Sequence, residues 1–215
     1  MTNGDIERLL RDAVLAYRAG RHDTAEAVAR RVLVREPREA GAHQLVAVLA
    51  LRRGAVDLAQ VSITAALASR PGHAPSLRIA RQVARACFAQ AHRAREAGAT
   101  QAASLAYRQA LTLDPGLAEA WFGLGLVALD GDDYRAAANA FGKAASLRPD
   151  DARALVNCGI SLQQAGDLNA AWQAYRTAYK VDLGTFGAIA HALVAASTGT
   201  LVLDPAILRA QLAAG

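Results

Sequence analysis

Apolar residues recur at steps of three and four along most of the chain, the spacing that places them on one face of an α-helix. Trp121, Leu124, Gly125 and Ala128 follow this spacing. Such stretches come in pairs, each pair contains a glycine near its middle, and most pairs end at a proline. The pattern predicts an all-α fold built from helix–turn–helix units.

A fixed period of 34 residues organises these units. One alanine marks the same place in each of them, at Ala25, Ala59, Ala103, Ala137 and Ala171. Three of the four intervals are 34 residues long and the other is 44. Alanine suits this place because a larger side chain would force the two crossing helices apart. Repeats of this length stack into a solenoid, which predicts an elongated binding scaffold without a closed pocket.

The repeat frame has definite bounds. It fits residues 6–39, 40–73, 84–117, 118–151 and 152–185. Residues 74–83 are additional, and we interpret them as part of one long helix from about Pro75 to Ala97; a separate short helix or hinge is the alternative. In each unit a glycine is expected to end the first helix in a left-handed conformation, at Gly20, Gly54, Gly98 and Gly166, with Gly131 one place early.

The frame fades after residue 185. Residues 184–197 predict a lone helix, residues 198–200 break it, and residues 201–203 are read as extended. Asp204 and Pro205 predict an N-cap and a first turn, followed by a last helix over residues 206–212. We expect residues 186–215 to cap the solenoid, or to form an edge for self-association because they are so apolar.

The best-formed unit resembles the tetratricopeptide repeat. Its pattern is Trp121-x2-Leu124-Gly125, then Ala137-x3-Phe141, Ala144 and Pro149, and residues 152–178 fit nearly as well. Departures are His43, Cys87, Leu183 and Ala29. The resemblance covers residues 6–185. It implies a right-handed α-solenoid of five repeats with C-terminal capping helices, whose first helices line a concave surface.

The resemblance also implies which residues face that surface, at the second, fifth, ninth and twelfth places of a unit. The candidate binding residues are Leu10, Val14, Tyr17, Val48, Leu51, Arg85, Phe88, His92, Arg95, Phe122, Leu126, Leu129, Val156 and Ile160. A Lys/Asn/Arg clamp for a peptide carboxylate is not present at these places. The apolar members would suit an amphipathic helix or an extended apolar peptide. Alternatively, some of them pack between neighbouring first helices.

Charge is unevenly distributed within the net charge of +5. Residues 1–117 carry seventeen basic and ten acidic side chains, whereas residues 118–215 carry seven and nine. Residues 52–95 hold eight arginines and a single acid, Asp57. This asymmetry indicates either a solvated face or an acidic partner. Arg78 and Arg81 would extend the basic part of the binding surface.

No pattern of catalytic, metal-binding or cofactor-binding residues stands out. Gly123-x-Gly125-x-x-Ala128 lies inside a predicted helix with no strand before it, so the repeat explains it better than a dinucleotide loop does. Cys87 and Cys158 give no disulfide framework and fall at inward-facing places. We expect no enzyme activity, no metal and no cofactor.

Location is predicted from two further segments. The start of the sequence has no basic leader and no apolar core, so we expect no signal peptide and a cytoplasmic protein. Residues 183–203 lack Asp, Glu, Lys and Arg and are long enough to cross a bilayer. His191, three glycines and the continuing repeat register argue against a membrane span.

Three functions follow from these patterns. The preferred one is a non-catalytic adaptor that holds a peptide or helix of a partner protein in the concave groove, with acidic residues flanking the bound segment. The alternatives are a polyanion binder that uses residues 52–95, and a structural or regulatory subunit that self-associates through its apolar C-terminal tail. Sparse aromatic residues near the arginines make nucleic acid the weaker partner.

Overall fold

The computed structural model of the protein describes residues 3–195 and 204–214. All regular structure within these residues is helical, with twelve α-helices and one short 3-10 helix. The all-α prediction is therefore confirmed.

Helices α1 to α10 form five consecutive pairs. Within each pair the two helices are joined by a turn of three residues. The α-helices are α1 (Asn3–Arg18), α2 (His22–Arg35), α3 (Ala40–Arg52), α4 (Val56–Ser69), α5 (Ala74–Glu96), α6 (Thr100–Leu113), α7 (Ala118–Asp130), α8 (Tyr134–Leu147), α9 (Ala152–Gln164), α10 (Leu168–Val181), α11 (Phe186–Ala195) and α12 (Pro205–Ala213). The 3-10 helix spans Leu183–Thr185.

Helix α5 includes the ten additional residues. It runs from Ala74 to Glu96 without a break and is 23 residues long, whereas α7 and α9 have 13 residues each. Pro75 lies in its first turn, where proline is tolerated because the first backbone N–H groups of a helix have no partner within it. Residues 74–83 are thus part of one continuous helix, as we interpreted them.

The described residues divide into two compact units. The first holds those up to Gln90 together with Thr112–Asp114, and the second holds Ala91–Leu111 and those from Pro115 onward. Each unit has its own core.

In the first unit, α1 packs against α2, α2 against α3 and α3 against α4. Alanine dominates the core, whose members are Ile6, Ala13, Ala16, Ala25, Ala29, Val32, Ala42, Leu45, Val46 and Leu49. Ala25, the residue that marks the period, is fully buried. Small side chains at the crossing let the helices approach closely, and alanine also has the best helix propensity.

In the second unit, aromatic rings pack directly on glycines. Tyr107, Phe141 and Tyr175 recur every 34 residues and are almost fully buried. The pairs, with the distance from a Cβ placed on the glycine to the nearest ring atom, are Tyr107–Gly123 (2.3 Å), Phe141–Gly125 (2.7 Å) and Tyr175–Gly159 (2.4 Å). A real Cβ cannot approach a ring carbon so closely, so glycine is required here for packing. The glycines of Gly123-x-Gly125 are explained by the repeat.

The turns within the helix pairs confirm four of the five glycine predictions and correct one. Four turns contain a glycine with φ between 73° and 85°, at Gly20, Gly54, Gly98 and Gly166. The prediction for Gly131 is wrong, because its φ is −103° and the left-handed residue is Asp132, with φ of 57°. Asp132 occupies the repeat-equivalent place, and aspartate is among the few L-residues that tolerate this conformation.

Helices α11 and α12 complete the second unit as a cap. Both pack against α10 or its neighbours, and α12 contacts α10 and α11. The Asp204 carboxylate caps α12 by accepting a hydrogen bond from the Ala206 N–H at 2.7 Å. The shared core consists of Val156, Ala171, Tyr175, Ala178, Ile189, Leu193, Leu208 and Leu212. The expected break at 198–200 and the extended segment 201–203 lie outside the described residues.

No helix formed by the described residues has the length and apolar character needed to cross a membrane.

Candidate partner-binding surface

The candidate binding residues of the first unit lie on α1, α3 and the beginning of α5. Val14 is 38% exposed, while Leu10, Tyr17, Val48 and Leu51 are half-buried. Leu10 and Tyr17 also pack against the core of this unit. Part of each side chain therefore contributes to stability, and the remainder is accessible to a partner.

A polar cluster adjoins these residues. The Gln44 amide donates to Ser76 Oγ at 2.7 Å and lies 3.0 Å from Nδ1 of His73. Ser76 is fully buried. Gln44 stands at one of the places expected to face the groove, but its amide is engaged in fixing α3 to the beginning of α5.

Helix α5 carries four candidates, at Arg85, Phe88, His92 and Arg95. Arg85 is exposed and Phe88 is half-buried. His92 Nδ1 lies 3.3 Å from a Glu96 carboxylate oxygen, one turn along the same helix. Within the second unit, an Arg95 guanidinium nitrogen lies 3.6 Å from the Asp130 carboxylate. Arg95 therefore already forms an ion pair within the protein.

Helix α7 presents three large apolar candidates, Phe122, Leu126 and Leu129, all half-buried. The Phe122 ring meets the Phe141 ring edge-on, with centroids 5.2 Å apart and an interplanar angle of 67°. It also packs against a small alanine core at Ala144, Ala145 and Ala154. Leu126 and Leu129 lie one turn further along the same face of α7 and are half-buried like Phe122.

Charged residues border the Phe122 ring. The Arg153 guanidinium lies 5.7 Å from the ring centroid, within the range of a cation–π contact. Asp151 holds Arg153 through two hydrogen bonds, at 3.0 Å and 2.9 Å. The hydrogen bond from Arg153 lowers the pKa of Asp151. Arg148 forms an ion pair with Glu119. The sequence did not predict either of these ion pairs.

On α9 the cap removes part of the predicted surface. Val156 is only 7% exposed and belongs to the core shared with α11 and α12, and Ile160 packs against the same core. This arrangement matches the alternative in which apolar first-helix residues pack against the next helical layer. Among the apolar candidates of the second unit, Phe122, Leu126 and Leu129 of α7 stay half-buried, while Leu105 and Leu147 outside the candidate set are more exposed.

A buried carboxylate on the second helix of the first repeat, outside the candidate surface, forms ion pairs with two partly exposed arginines. Glu26 is 8% exposed, and its carboxylate lies 2.5 Å from an Arg53 guanidinium nitrogen and 2.8 Å from one of Arg30. The hydrogen bond from Arg53 is the main cause that lowers the pKa of Glu26. This pair links α2 to the end of α3, and we assign it a structural role.

The cysteines have the character of packed residues. Cys87 is buried and Cys158 is half-buried, and neither forms a disulfide. Burial raises the pKa of Cys87 to about 11 and also raises that of Cys158. Thiolate is the reactive form, so both thiols are poor nucleophiles at neutral pH. Among the described residues, no three His, Cys, Asp or Glu side chains are grouped closely enough to hold a metal ion.

Comparison with known families identifies the repeat. The profile described as the tetratricopeptide repeat matches residues 10–74, 88–134 and 125–188, which together make up most of the chain. The chain belongs to the tetratricopeptide-repeat family. Tetratricopeptide repeats are solenoid units that build extended binding surfaces, so the protein is an all-α interaction scaffold of this class.

Comparisons with individual proteins are more distant. No curated protein matches the chain. Among solved structures, the MamA protein is 19% identical, with 85% of this chain and 94% of that chain covered and a TM-score of 0.46. A thermophilic tetratricopeptide-repeat protein of Thermus thermophilus, TTC0263, is 24% identical, with 88% and 99% covered and a TM-score of 0.40. YrrB, described as a tetratricopeptide-repeat protein with an unusual peptide-binding site, is 15% identical, with 81% and 85% covered and a TM-score of 0.42. The family assignment rests on the repeat profile.

Proposed function

We propose that this tetratricopeptide-repeat protein is a non-catalytic adaptor that binds a peptide or helix of a partner protein on its first-helix surface. The observation that carries the proposal is the set of half-buried apolar side chains on α7, at Phe122, Leu126 and Leu129. Large apolar residues that remain partly accessible and adjoin one another on a surface are typical of interaction sites.

The geometry of α7 supports binding of an apolar segment. Leu126 and Leu129 are one turn apart on the same helix, and Phe122 lies one turn before Leu126. Side chains at this spacing line one face. An amphipathic helix or an extended peptide could place its own apolar side chains against them. Phe122 is held rigid by Phe141 and Arg153, which lowers the entropy lost on binding.

An exposed arginine among the candidate binding residues is our reason for expecting acidic residues in the bound segment. Arg85 is exposed on α5, and it carries no ion pair with any of the described residues. Arg153 is exposed as well, although Asp151 already neutralises it. We therefore expect Arg85 to be available for an acidic residue of a partner, whereas Arg153 is not. A cytoplasmic location belongs to the same proposal.

Self-association through the C-terminal tail stays a prediction and is the less favoured function. Leu208 is 2% exposed and Leu212 is fully buried within the second unit. These side chains are already used by the cap. Leu208 and Leu212 are thus not available for a second copy, whereas Val194 and Ile207 remain exposed, at 61% and 53%.

Affinity capture with a matched pair of variants tests the proposal. Leu126→Glu introduces a charge into the apolar surface of α7. Leu105→Glu makes the same change at a leucine of α6 that is 60% exposed and lies outside the first-helix surface. We expect wild type and Leu105→Glu to retain the same partners from an extract of the source organism, and Leu126→Glu to lose them. Mass spectrometry identifies the partners, and purified partner then replaces the extract.

Circular dichroism separates loss of binding from loss of fold. All three proteins should have the same helical content. Retention of the partners by Leu126→Glu would refute the α7 surface, and so would a loss that appears only together with reduced helicity. Phe122→Glu is a poorer variant because the Phe122 ring supports Phe141 in the core.

A further inference from the structure

The first four turns of α5 have a cationic outer face. Arg78, Arg81 and Arg85 are all exposed there. With 3.6 residues per turn, the three side chains lie within about 60° of one another around the helix axis. The opposite side of the helix is buried at Ala80, Val83, Ala84 and Cys87. The three arginines therefore lie on the part of the helix that points away from the core.

No carboxylate balances this face. Among the described residues, none of the three arginines forms an ion pair, and Asp57 is the only acid between residues 52 and 95. Other arginines are paired, as Arg53 is with Glu26 and Arg153 with Asp151. Arg31, Arg35 and Arg38 are also exposed and form no ion pair with the described residues, so what distinguishes α5 is that its three arginines share one stripe of a single helix.

The position of the arginines within α5 adds to the excess of positive charge. The first turn of α5 has no acidic residue. The N-terminal part of a helix carries the positive end of the macrodipole, so acids stabilise it and cations oppose it. The first turn of α5 therefore holds no acid to offset the charge of the arginines that follow it.

We propose that this arginine face binds an acidic α-helix of a partner protein, with carboxylates at positions i, i+3 and i+7. The rise between successive arginines is about 4.5 Å and 6 Å along the axis. A second helix repeats side chains along one face at the same steps, so three carboxylates can meet three guanidinium groups in register. Arginine suits this role because its planar fork matches a carboxylate.

The proposal rests on the proposed function, because it specifies the chemistry of the partner that this scaffold would bind. It uses a different surface from α7. Nucleic acid is disfavoured, since single strands bind largely by stacking bases on exposed aromatic rings and the aromatic residue in this part of α5, Phe88, is half-buried.

A defined peptide tests the proposal without knowledge of the natural partner. The probe is a labelled alanine-rich peptide of about 20 residues, long enough to form an isolated helix, with glutamates at i, i+3 and i+7. A second peptide of identical composition distributes the glutamates around the helix axis. Fluorescence anisotropy at low salt gives the Kd of each peptide for the full chain. Two further probes are an oligothymidylate and a vesicle that contains phosphatidylserine.

Two triple variants distinguish the effect of this arginine face on peptide binding from the effect of a lower net charge. One is Arg78→Gln/Arg81→Gln/Arg85→Gln, and the charge-matched control is Arg31→Gln/Arg35→Gln/Arg38→Gln, at three other exposed arginines. We expect the in-register peptide to bind about tenfold more tightly than the redistributed one, since three exposed ion pairs contribute modestly. The α5 variant should lose that difference and the control should keep it.

Several results would overturn the proposal. They are equal affinity for the two peptides, an unchanged Kd in the α5 variant, no binding at low salt, and tighter binding of the oligothymidylate or the vesicle than of the in-register peptide. Leu126→Glu should bind the acidic peptide normally. Failure of the α7 surface would appear instead as partner capture that survives Leu126→Glu, so the two proposals fail in different measurements.

Discussion

Replacing Gly159 by alanine tests whether the aromatic ring on the glycine holds the fifth repeat together. The new Cβ would lie 2.4 Å from Cε1 and 2.6 Å from Cδ1 of Tyr175. The ring is fully buried, and its hydroxyl donates a 2.8 Å hydrogen bond to the Gln163 amide oxygen. The ring therefore cannot move away without straining the core or stretching this bond.

The expected magnitude is a balance of three effects. Overpacking costs about 1–3 kcal/mol. Loss of a buried hydrogen bond adds about 1 kcal/mol. Alanine in place of glycine inside a helix returns about 1 kcal/mol. We therefore expect Gly159→Ala to lower the free energy of unfolding by about 1–3 kcal/mol.

Gly142→Ala is the matched control. Gly142 also lies within a helix, α8, but the nearest side-chain atom to its new Cβ is Cys158 Sγ at 3.9 Å, an ordinary contact. Only the propensity effect remains, so this variant should be stabilised by about 0.5–1 kcal/mol. Urea denaturation followed by circular dichroism measures both changes as shifts of the midpoint at constant slope.

A double variant isolates the ring contact. Ala47 and Ile63 occupy, in the second repeat, the places of Gly159 and Tyr175, and both are fully buried. Gly159→Ala combined with Tyr175→Ile copies that pair, so the double variant should cost less than the sum of the single changes. If Gly159→Ala were as stabilising as Gly142→Ala, or if the two changes were additive, the reasoning would be wrong.

Three further substitutions have definite expected results in the same denaturation assay. Asp132→Gly should stabilise the protein by up to about 1 kcal/mol, because glycine adopts a positive φ without the strain of a side chain; destabilisation would show that the bond from Tyr134 to Asp132 matters more. Leu212→Ala should destabilise the second unit by about 2–5 kcal/mol, because this fully buried side chain leaves a cavity; a smaller effect would mean that the cap is loosely packed. Glu26→Gln should destabilise the protein at neutral pH and lose this effect in acid. Because the pKa of Glu26 in the folded state lies below its ordinary value of 4.5, the carboxylate stabilises the fold above that value and stops doing so as the pH falls through the folded pKa; an effect independent of pH would contradict the ion pair.

The helix pairs were predictable because their signal repeats. Each helix boundary is supported by several units at once, so an irregular residue such as His43 or Ala29 does not obscure the period. The length of α5 was predictable for a related reason. An insertion of almost three helical turns with a proline at its second place extends a helix at the N-terminal end, where proline is tolerated.

The exceptions arise where geometry overrides a local signal. Gly131 has the residue type of a helix-ending glycine, but the repeat fixes the left-handed place one residue later, at Asp132. Val156 fits the spacing of a groove residue. Its burial depends on α11, which lies outside the repeat frame and whose position cannot be read from the period. The link between Arg153 and Phe122 depends on side-chain orientation, which spacing does not specify.

The close contacts between aromatic rings and glycines limit which helices can be exchanged between the repeats. Helix α3 presents Ala47 where α9 presents Gly159, so a chimaera with α3 followed by α10 would set a methyl group against the Tyr175 ring. An exchange of whole helix pairs keeps Phe141 with Gly125 and Tyr175 with Gly159, but it separates Tyr107 of α6 from Gly123 of α7. Shuffling among the repeats therefore has to keep α6 with α7 as well as each later ring with the glycine of its own pair.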